Sequence, residues 1–296
     1  MQKKPDFIII GAMKCATSTL HEQLAMQPGL FMSELKEPNF FSNDQEYQKG
    51  WDWYLSHFAD AQTTDLCGES STHYTKLPTY PQTIERIAQY LPEAKFIYVM
   101  RHPIDRLVSQ YIHEVTQKVI NIDINRAIYE HPELIDYSRY TMQLEPYFAT
   151  FGQAKILPIF FERMLNSSQA ELTKVGKFIN YSGNPTWQEN IDAQNVSSER
   201  LMKSAWRDFV VEMPGLKQIR QKFIPKSFRN WVKGFWQMKD KPQLTPQNIE
   251  VLQGIFDEDL SKLGNWLGIE LNCQNFKEIV KAESRDWSNP MPKNTQ

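Results

Sequence analysis

The sequence predicts an α/β fold, a central, mainly parallel sheet flanked by helices, on the strength of three observations. Short β-branched apolar runs recur along the chain, each is followed by a stretch whose apolar residues fall at helical spacing, and the runs are nearly continuous rather than alternating. Continuous runs suit strands covered on both faces, and their alternation with helical stretches implies βαβ units. In such sheets ligands bind beyond the carboxyl ends of the strands.

The first strand is expected over Asp6 to Gly11, because Phe7-Ile8-Ile9-Ile10 is bounded by a glycine. A helix follows, capped by Thr17 or Ser18, with Leu20, His21 and Leu24 on one face. The second strand spans Lys95 to Met100, after which Arg101-His102-Pro103 turns into a helix carrying Leu107, Val108, Tyr111 and Ile112. A third covers Lys155 to Phe161, where Pro158 asks for an edge position or a bulge, and a helix from about Ser168 to Phe178 follows it. Gln247 to Leu267 is amphipathic, and its stripe of Ile249, Leu252, Ile255, Phe256, Leu260 and Leu263 belongs to the core. The chain shows no repeat and reads as one domain over 1–296, with the irregular region 180–242 as a lid or substrate-facing subregion.

The 296 residues, 41% of them hydrophobic, suffice to bury a sizeable core. A net charge of −2 argues against a general nucleic-acid binder. The exception is local: Met213 to Lys239 holds seven Lys or Arg and no acidic residue, interleaved with Phe223, Phe228, Trp231, Phe235 and Trp236. Cations among aromatic faces suit an anionic or sugar-containing ligand, a peripheral membrane contact, or a plain helical face with solvated lysines. Cys15, Cys67 and Cys273 show no C-x-x-C spacing and read as free thiols, and the histidines form no ligand pair, so no metal is expected. Lys14 interrupts the N-terminal apolar run before it reaches signal-peptide length, and no stretch approaches the roughly 18 apolar residues of a membrane span. A cytoplasmic protein is the expectation; oligomeric state is not legible.

The chemistry begins at Gly11-Ala12-Met13-Lys14-Cys15-Ala16-Thr17-Ser18-Thr19. A strand ending in glycine, then a lysine and a hydroxyl run opening a helix, is a P-loop-like strand-loop-helix that presents N–H groups and a cation to a phosphate. By itself it equally describes a capped helix with a solvated lysine. It is not the Walker A pattern G-x-x-x-x-G-K-[ST], because Lys14 follows Gly11 by three residues and Ala16 stands where a second glycine belongs. A nucleotide-type kinase also needs a carboxylate for Mg²⁺ at a neighbouring strand end. Lys95 to Met100 ends in Arg101 instead, whose fork of donors suits a second phosphate, and Ser109 lies two turns into the next helix. The plain alternative for Arg101 is a salt bridge with Glu93 or Asp105.

With these residues in order, the chain resembles the sulfotransferase superfamily that uses 3′-phosphoadenosine-5′-phosphosulfate. Its 5′-phosphosulfate loop is matched by Gly11 to Leu20, and its 3′-phosphate motif by Arg101 to Tyr111. The likeness runs on through Lys36-Glu37-Pro38-Asn39-Phe40-Phe41, Trp53-Tyr54, Gly68 to Tyr74 and Phe160-Phe161-Glu162, and is greatest to the heparan sulfate and bacterial carbohydrate-type branch. The resemblance implies transfer of a sulfuryl group to an acceptor hydroxyl, on a carbohydrate or glycoconjugate, an anionic saccharide or glycolipid among them.

It also implies roles. Lys14 neutralises charge on the leaving phosphate side; Gly11, Cys15, Ala16, Thr17, Ser18 and Thr19 hold the 5′-phosphate; Arg101 and Ser109 hold the 3′-phosphate. Glu37, which from its residue context alone is a solvated carboxylate beside Lys36, becomes the general base. His73 and His113 are the alternative bases. Phe161 matches an aromatic that contacts adenine, and Ser198, Arg200 and Lys203 close over the 3′-phosphate. One departure stands out: Ser70 occupies the position where relatives carry a lysine, so that lysine's role does not transfer. A non-catalytic protein that keeps the pocket and binds 3′-phosphoadenosine-5′-phosphate is the remaining rival to an enzyme.

Overall fold

The computed structural model describes residues 3–189 and 242–288. Among them, β1 (Phe7–Gly11), β2 (Leu30–Met32), β3 (Leu66–Ser70), β4 (Lys95–Met100) and β5 (Ile156–Phe160) form one sheet in the order β2-β3-β1-β4-β5, and every pairing is parallel. Around it pack α1 (Thr17–Ala25), α2 (Asp44–Tyr47), α3 (Trp51–Ser56), α4 (Thr83–Tyr90), α5 (Pro103–Thr116), α6 (Ile124–Glu130), α7 (Glu133–Asp136), α8 (Tyr140–Phe151), α9 (Phe161–Asn166), α10 (Ser168–Phe178), α11 (Pro246–Leu267) and α12 (Phe276–Ala282).

The apolar runs explain the centre of the sheet. Phe7 to Ile10 on β1 and Phe96 to Met100 on β4 are fully buried, each such side chain contributing roughly 1.5–3 kcal/mol of transfer free energy. β4 and α10 have the expected bounds. β1 begins one residue late because Asp6 turns its carboxylate onto the Cys67 amide at 2.8 Å. β5 stops at Phe160, and Phe161 opens α9 instead. Pro158 sits on the edge strand, where the missing N–H costs no ladder bond, and Lys174 Nζ donates to its carbonyl at 2.9 Å. In α11, Leu252, Phe256, Leu260 and Leu263 are fully buried and Ile255 partly so, as the stripe predicts, whereas Ile249, in the first turn, is only partly buried and outside the core cluster.

Two strands carry no such signal. β2 has three residues, and β3 reads Leu-Cys-Gly-Glu-Ser. Packing decides both: Gly68 lies beneath the Phe7 ring, which a Cβ would strike, and Glu69 is wholly buried near the hydroxyls of Tyr54 and Tyr74. Burial pushes the Glu69 carboxyl up to about 8.

The folded state therefore keeps a proton on Glu69 that an unfolded chain releases near 4.5. The stability this proton brings is complete below that value and is lost as pH rises through about 8. Glu69→Gln, of the same shape and permanently neutral, is expected to flatten the fall in melting temperature between pH 5.5 and pH 9. Identical pH slopes for wild type and variant would rule Glu69 out as the source.

Candidate active site

All five strands release their chains at the same edge of the sheet, and each contributes to one cleft of about 1250 Å³. Lys14 arrives from β1, Glu37 from β2, His73 and Lys76 from β3, Arg101 from β4 and Phe161 from β5. Neighbouring strands β3 and β4 flank β1, so the chain crosses from one side of β1 to the other here, the switch point at which open α/β sheets bind ligands.

The loop after β1 is unusually tight. Lys14 (φ 72°) and Ala16 (φ 62°) both take the left-handed conformation, and Ala16 is the N-cap of α1 with no side-chain capping bond. Thr17 and Ser18 are thus inside the helix rather than its caps, a correction with a physical cause: the two left-handed residues turn the chain so sharply that α1 starts at Thr17. The first-turn N–H groups are left for something other than a capping side chain. Gly11 makes the approach possible, since a Cβ would collide with the Thr75 hydroxyl, which donates to the Ile10 carbonyl at 2.7 Å. Cys15 is fully buried beneath the loop and burial pushes its thiol up to about 12, so it packs as an apolar side chain.

Arg101 is tied directly to this loop. Its Nη1 donates to the Lys14 carbonyl at 3.3 Å and its guanidinium lies over the Phe161 ring at 4.7 Å. The two carboxylates suggested as salt-bridge partners are engaged elsewhere, Glu93 by Lys155 and Asp105 by Lys277. Tyr140 holds the backbone of Arg101 from both sides, its hydroxyl donating to the carbonyl at 2.5 Å and accepting from the amide at 3.2 Å. Asp259 on α11 in turn accepts from the Thr141 amide at 3.2 Å and caps α8, which carries Tyr140. Arg101 Nε is buried and has no hydrogen-bond partner among the described residues. Ser109, buried on α5, lines the same cleft, as does His113.

On the other wall, Glu37 (φ 58°) is held by its own amide on the Ser70 carbonyl at 2.9 Å. Phe40 and Phe41 anchor the segment in the aromatic core, Phe40 stacked on Tyr54 at 4.9 Å and Phe41 against Tyr74 at 5.6 Å. Ser71 and Tyr74 shape the turn by accepting from the Asn39 and Phe41 amides. Glu37 Oε1 accepts from Lys36 Nζ at 3.2 Å and from the Thr72 hydroxyl at 3.4 Å, and among the described residues Oε2 has no hydrogen bond. His73 stacks on Tyr80 at 4.8 Å, and burial together with Lys76 lowers it to about 4. His21 is lowered to about 4 as well and bonds Ser70 Oγ at 2.8 Å.

Phe161 stands at the expected place but is covered by Arg101. A different aromatic, Trp187, lines the cleft from a strap that runs beside α1. Gln27 and Gln23 clamp that strap with paired amide bonds, 2.9–3.0 Å to the backbone of Thr186 and 2.8–2.9 Å to that of Gln188. Sequence reasoning missed this strap, and it missed Lys76 and Tyr137 of the opposite wall; paired glutamines at Gln23 and Gln27, one turn apart, were the available signal. Ser198, Arg200 and Lys203, and the basic segment 213–239, lie outside the described residues.

A family of proteins described as the sulfotransferase domain matches residues 4–266. Bifunctional heparan sulfate N-deacetylase/N-sulfotransferase 4 of Mus musculus is 26% identical over 206 residues, covering 62% of this chain and 23% of that protein. Heparan sulfate glucosamine 3-O-sulfotransferase 5 of Homo sapiens is 27% identical over 195 residues, covering 61% of this chain and 54% of that protein. The chain therefore spans about a quarter and about half of the length of these curated relatives. The crystal structure of a sulfotransferase from Alicyclobacillus acidocaldarius shares the fold, with a TM-score of 0.63 at 21% identity over 91% of this chain and 98% of that one. On the family match across most of its length, the chain belongs to the sulfotransferase family.

Proposed function

We propose that the cleft transfers a sulfuryl group from 3′-phosphoadenosine-5′-phosphosulfate to a hydroxyl of a saccharide acceptor, with Glu37 as general base. The observation that carries this reading is the tie between two anion sites: the uncapped start of α1 with Lys14, and Arg101 with Ser109, joined through the Arg101 bond to the Lys14 carbonyl. Two such sites suit a donor phosphorylated at both ends, and the buried Nε of Arg101, without a hydrogen-bond partner among the described residues, is a donor that a phosphate oxygen would satisfy. The saccharide class follows from the heparan sulfate relatives.

When bound, the donor supplies an activated sulfuryl group whose bond to the bridging phosphate oxygen breaks as the acceptor oxygen bonds to sulfur. Lys14 and the N–H groups of Thr17, Ser18 and Thr19 would hold the 5′-phosphate and neutralise charge on the departing side. Arg101 and Ser109 would hold the 3′-phosphate, and Trp187, rather than the covered Phe161, offers an aromatic face beside α1 for the base. Glu37 takes the acceptor proton on Oε2, while its left-handed backbone and the anchored phenylalanines keep the carboxylate in place. The binding-only alternative predicts donor affinity without transfer.

In thermal-shift measurements without added metal, 3′-phosphoadenosine-5′-phosphate is expected to stabilise the wild type by about 2.7 kcal/mol at a hundredfold excess over Kd. Lys14→Ala and Arg101→Ala should lose most of that shift; no shift in the wild type would overturn the donor assignment. In a labelled-sulfate screen of saccharide acceptors, Glu37→Gln should cut transfer by roughly 10²–10⁴-fold while keeping the thermal shift. Undiminished transfer by Glu37→Gln would exclude it as the base.

A further inference from the structure

Lys76 follows the single turn Thr72–Thr75 after β3 and lines the cleft with Thr72, His73 and Glu37. It is 8% exposed, and among the described residues it is the lysine buried outright. Its ammonium lies 5.6 Å from the centroid of the Tyr137 ring and, among those residues, makes no hydrogen bond or ion pair. Its stem is packed away while the residue lines the cleft, an arrangement that offers a cation to an anionic group entering there. The fold leaves the partner to arrive through the cleft.

The charged and titratable groups around it come from every neighbouring element. Glu37 lies on the loop after β2, Glu114 and Arg106 on α5, Tyr137 after α7 and His73 on its own turn, with none of the carboxylates within ion-pair distance of Lys76. Ser70, at the end of β3, is committed to His21 at 2.8 Å. Lys76 thus brings a cation to this wall of the cleft from the turn that follows β3.

We infer that Lys76 is a substrate-contacting residue that binds a sulfate-type oxyanion on the Glu37 wall of the cleft. The inference rests on the donor reading above. Two sources share this chemistry, the transferring sulfuryl group and an acidic substituent of the acceptor. Burial lowers the Lys76 amine to about 8, against the opposing pull of Glu37 and Glu114, so the charge that binds the oxyanion is lost as pH rises through that value.

The test is a thermal shift on the protein saturated with 3′-phosphoadenosine-5′-phosphate, to which inorganic sulfate or, separately, glucuronate is added. Wild type, Lys76→Met and Lys76→Arg should be stabilised alike by the nucleotide. Sulfate should then add a further increment to wild type at pH 7 that shrinks by pH 9, to Lys76→Arg at both pH values, and not to Lys76→Met. An increment that depends on Lys76 with sulfate assigns the subsite to the transferring group, and one with glucuronate assigns it to the acceptor. Equal increments in wild type and Lys76→Met overturn the inference while leaving the donor reading intact. A wild type that ignores the nucleotide overturns both. Should Lys76→Met not fold, the comparison of wild type with Lys76→Arg decides, since an equal decline in both between pH 7 and pH 9 also overturns it.

Discussion

β1 is paired on both sides, with β3 through Phe7, Ile8 and Ile9 and with β4 through Phe7 to Gly11, and the placement of every functional side chain follows from that double pairing. A parallel sheet sends all its carboxyl ends in one direction. Once β1 is central and fully buried, its outgoing loop must emerge between the loops of β3 and β4. Lys14, Ser70 with Lys76, and Arg101 therefore meet although up to 87 residues separate them in the chain. The cleft is a consequence of strand order before it is a consequence of any single side chain.

Two supporting shells keep the cleft's walls in register. On the donor side, Asp259 caps α8, α8 presents Tyr140, Tyr140 fixes the Arg101 backbone, and Arg101 reaches the Lys14 carbonyl. A helix contributed from the far end of the chain thereby sets the position of a strand-end arginine. On the acceptor side, the support is apolar: Phe40 and Phe41 are sunk among Tyr54 and Tyr74, so the strained backbone at Glu37 is held by packing. Loop residues placed this way lose little entropy on meeting a ligand.

Burial also sorts the titratable groups of the site. His21 and His73 are lowered to about 4, which leaves them neutral at neutral pH, and Glu69 is raised to about 8 and stays protonated. Glu37, partly exposed beside Lys36 and Thr72, is among the carboxylates that line the cleft. Desolvation thus leaves two neutral imidazoles and a protonated buried acid beside a cleft whose wall carries the partly exposed Glu37.

Residue patterns within the sequence were enough for the buried central strands, the amphipathic α11 and the two strand ends that bring Lys14 and Arg101 to the cleft, because burial on both faces demands continuous apolar runs and because glycine, lysine and arginine at strand ends announce themselves locally. The ordered motifs added the family and pointed to Glu37. Left to the tertiary structure were β2 and β3, whose Gly68 and Glu69 make sense only against Phe7, Tyr54 and Tyr74. The start of α1, the covering of Phe161 by Arg101, the glutamine clamp on the strap of Trp187 and the buried ammonium of Lys76 belong to the same class. Each depends on what a side chain meets from a distant part of the chain, and that pairing is set by packing density and desolvation, which neighbouring letters do not encode.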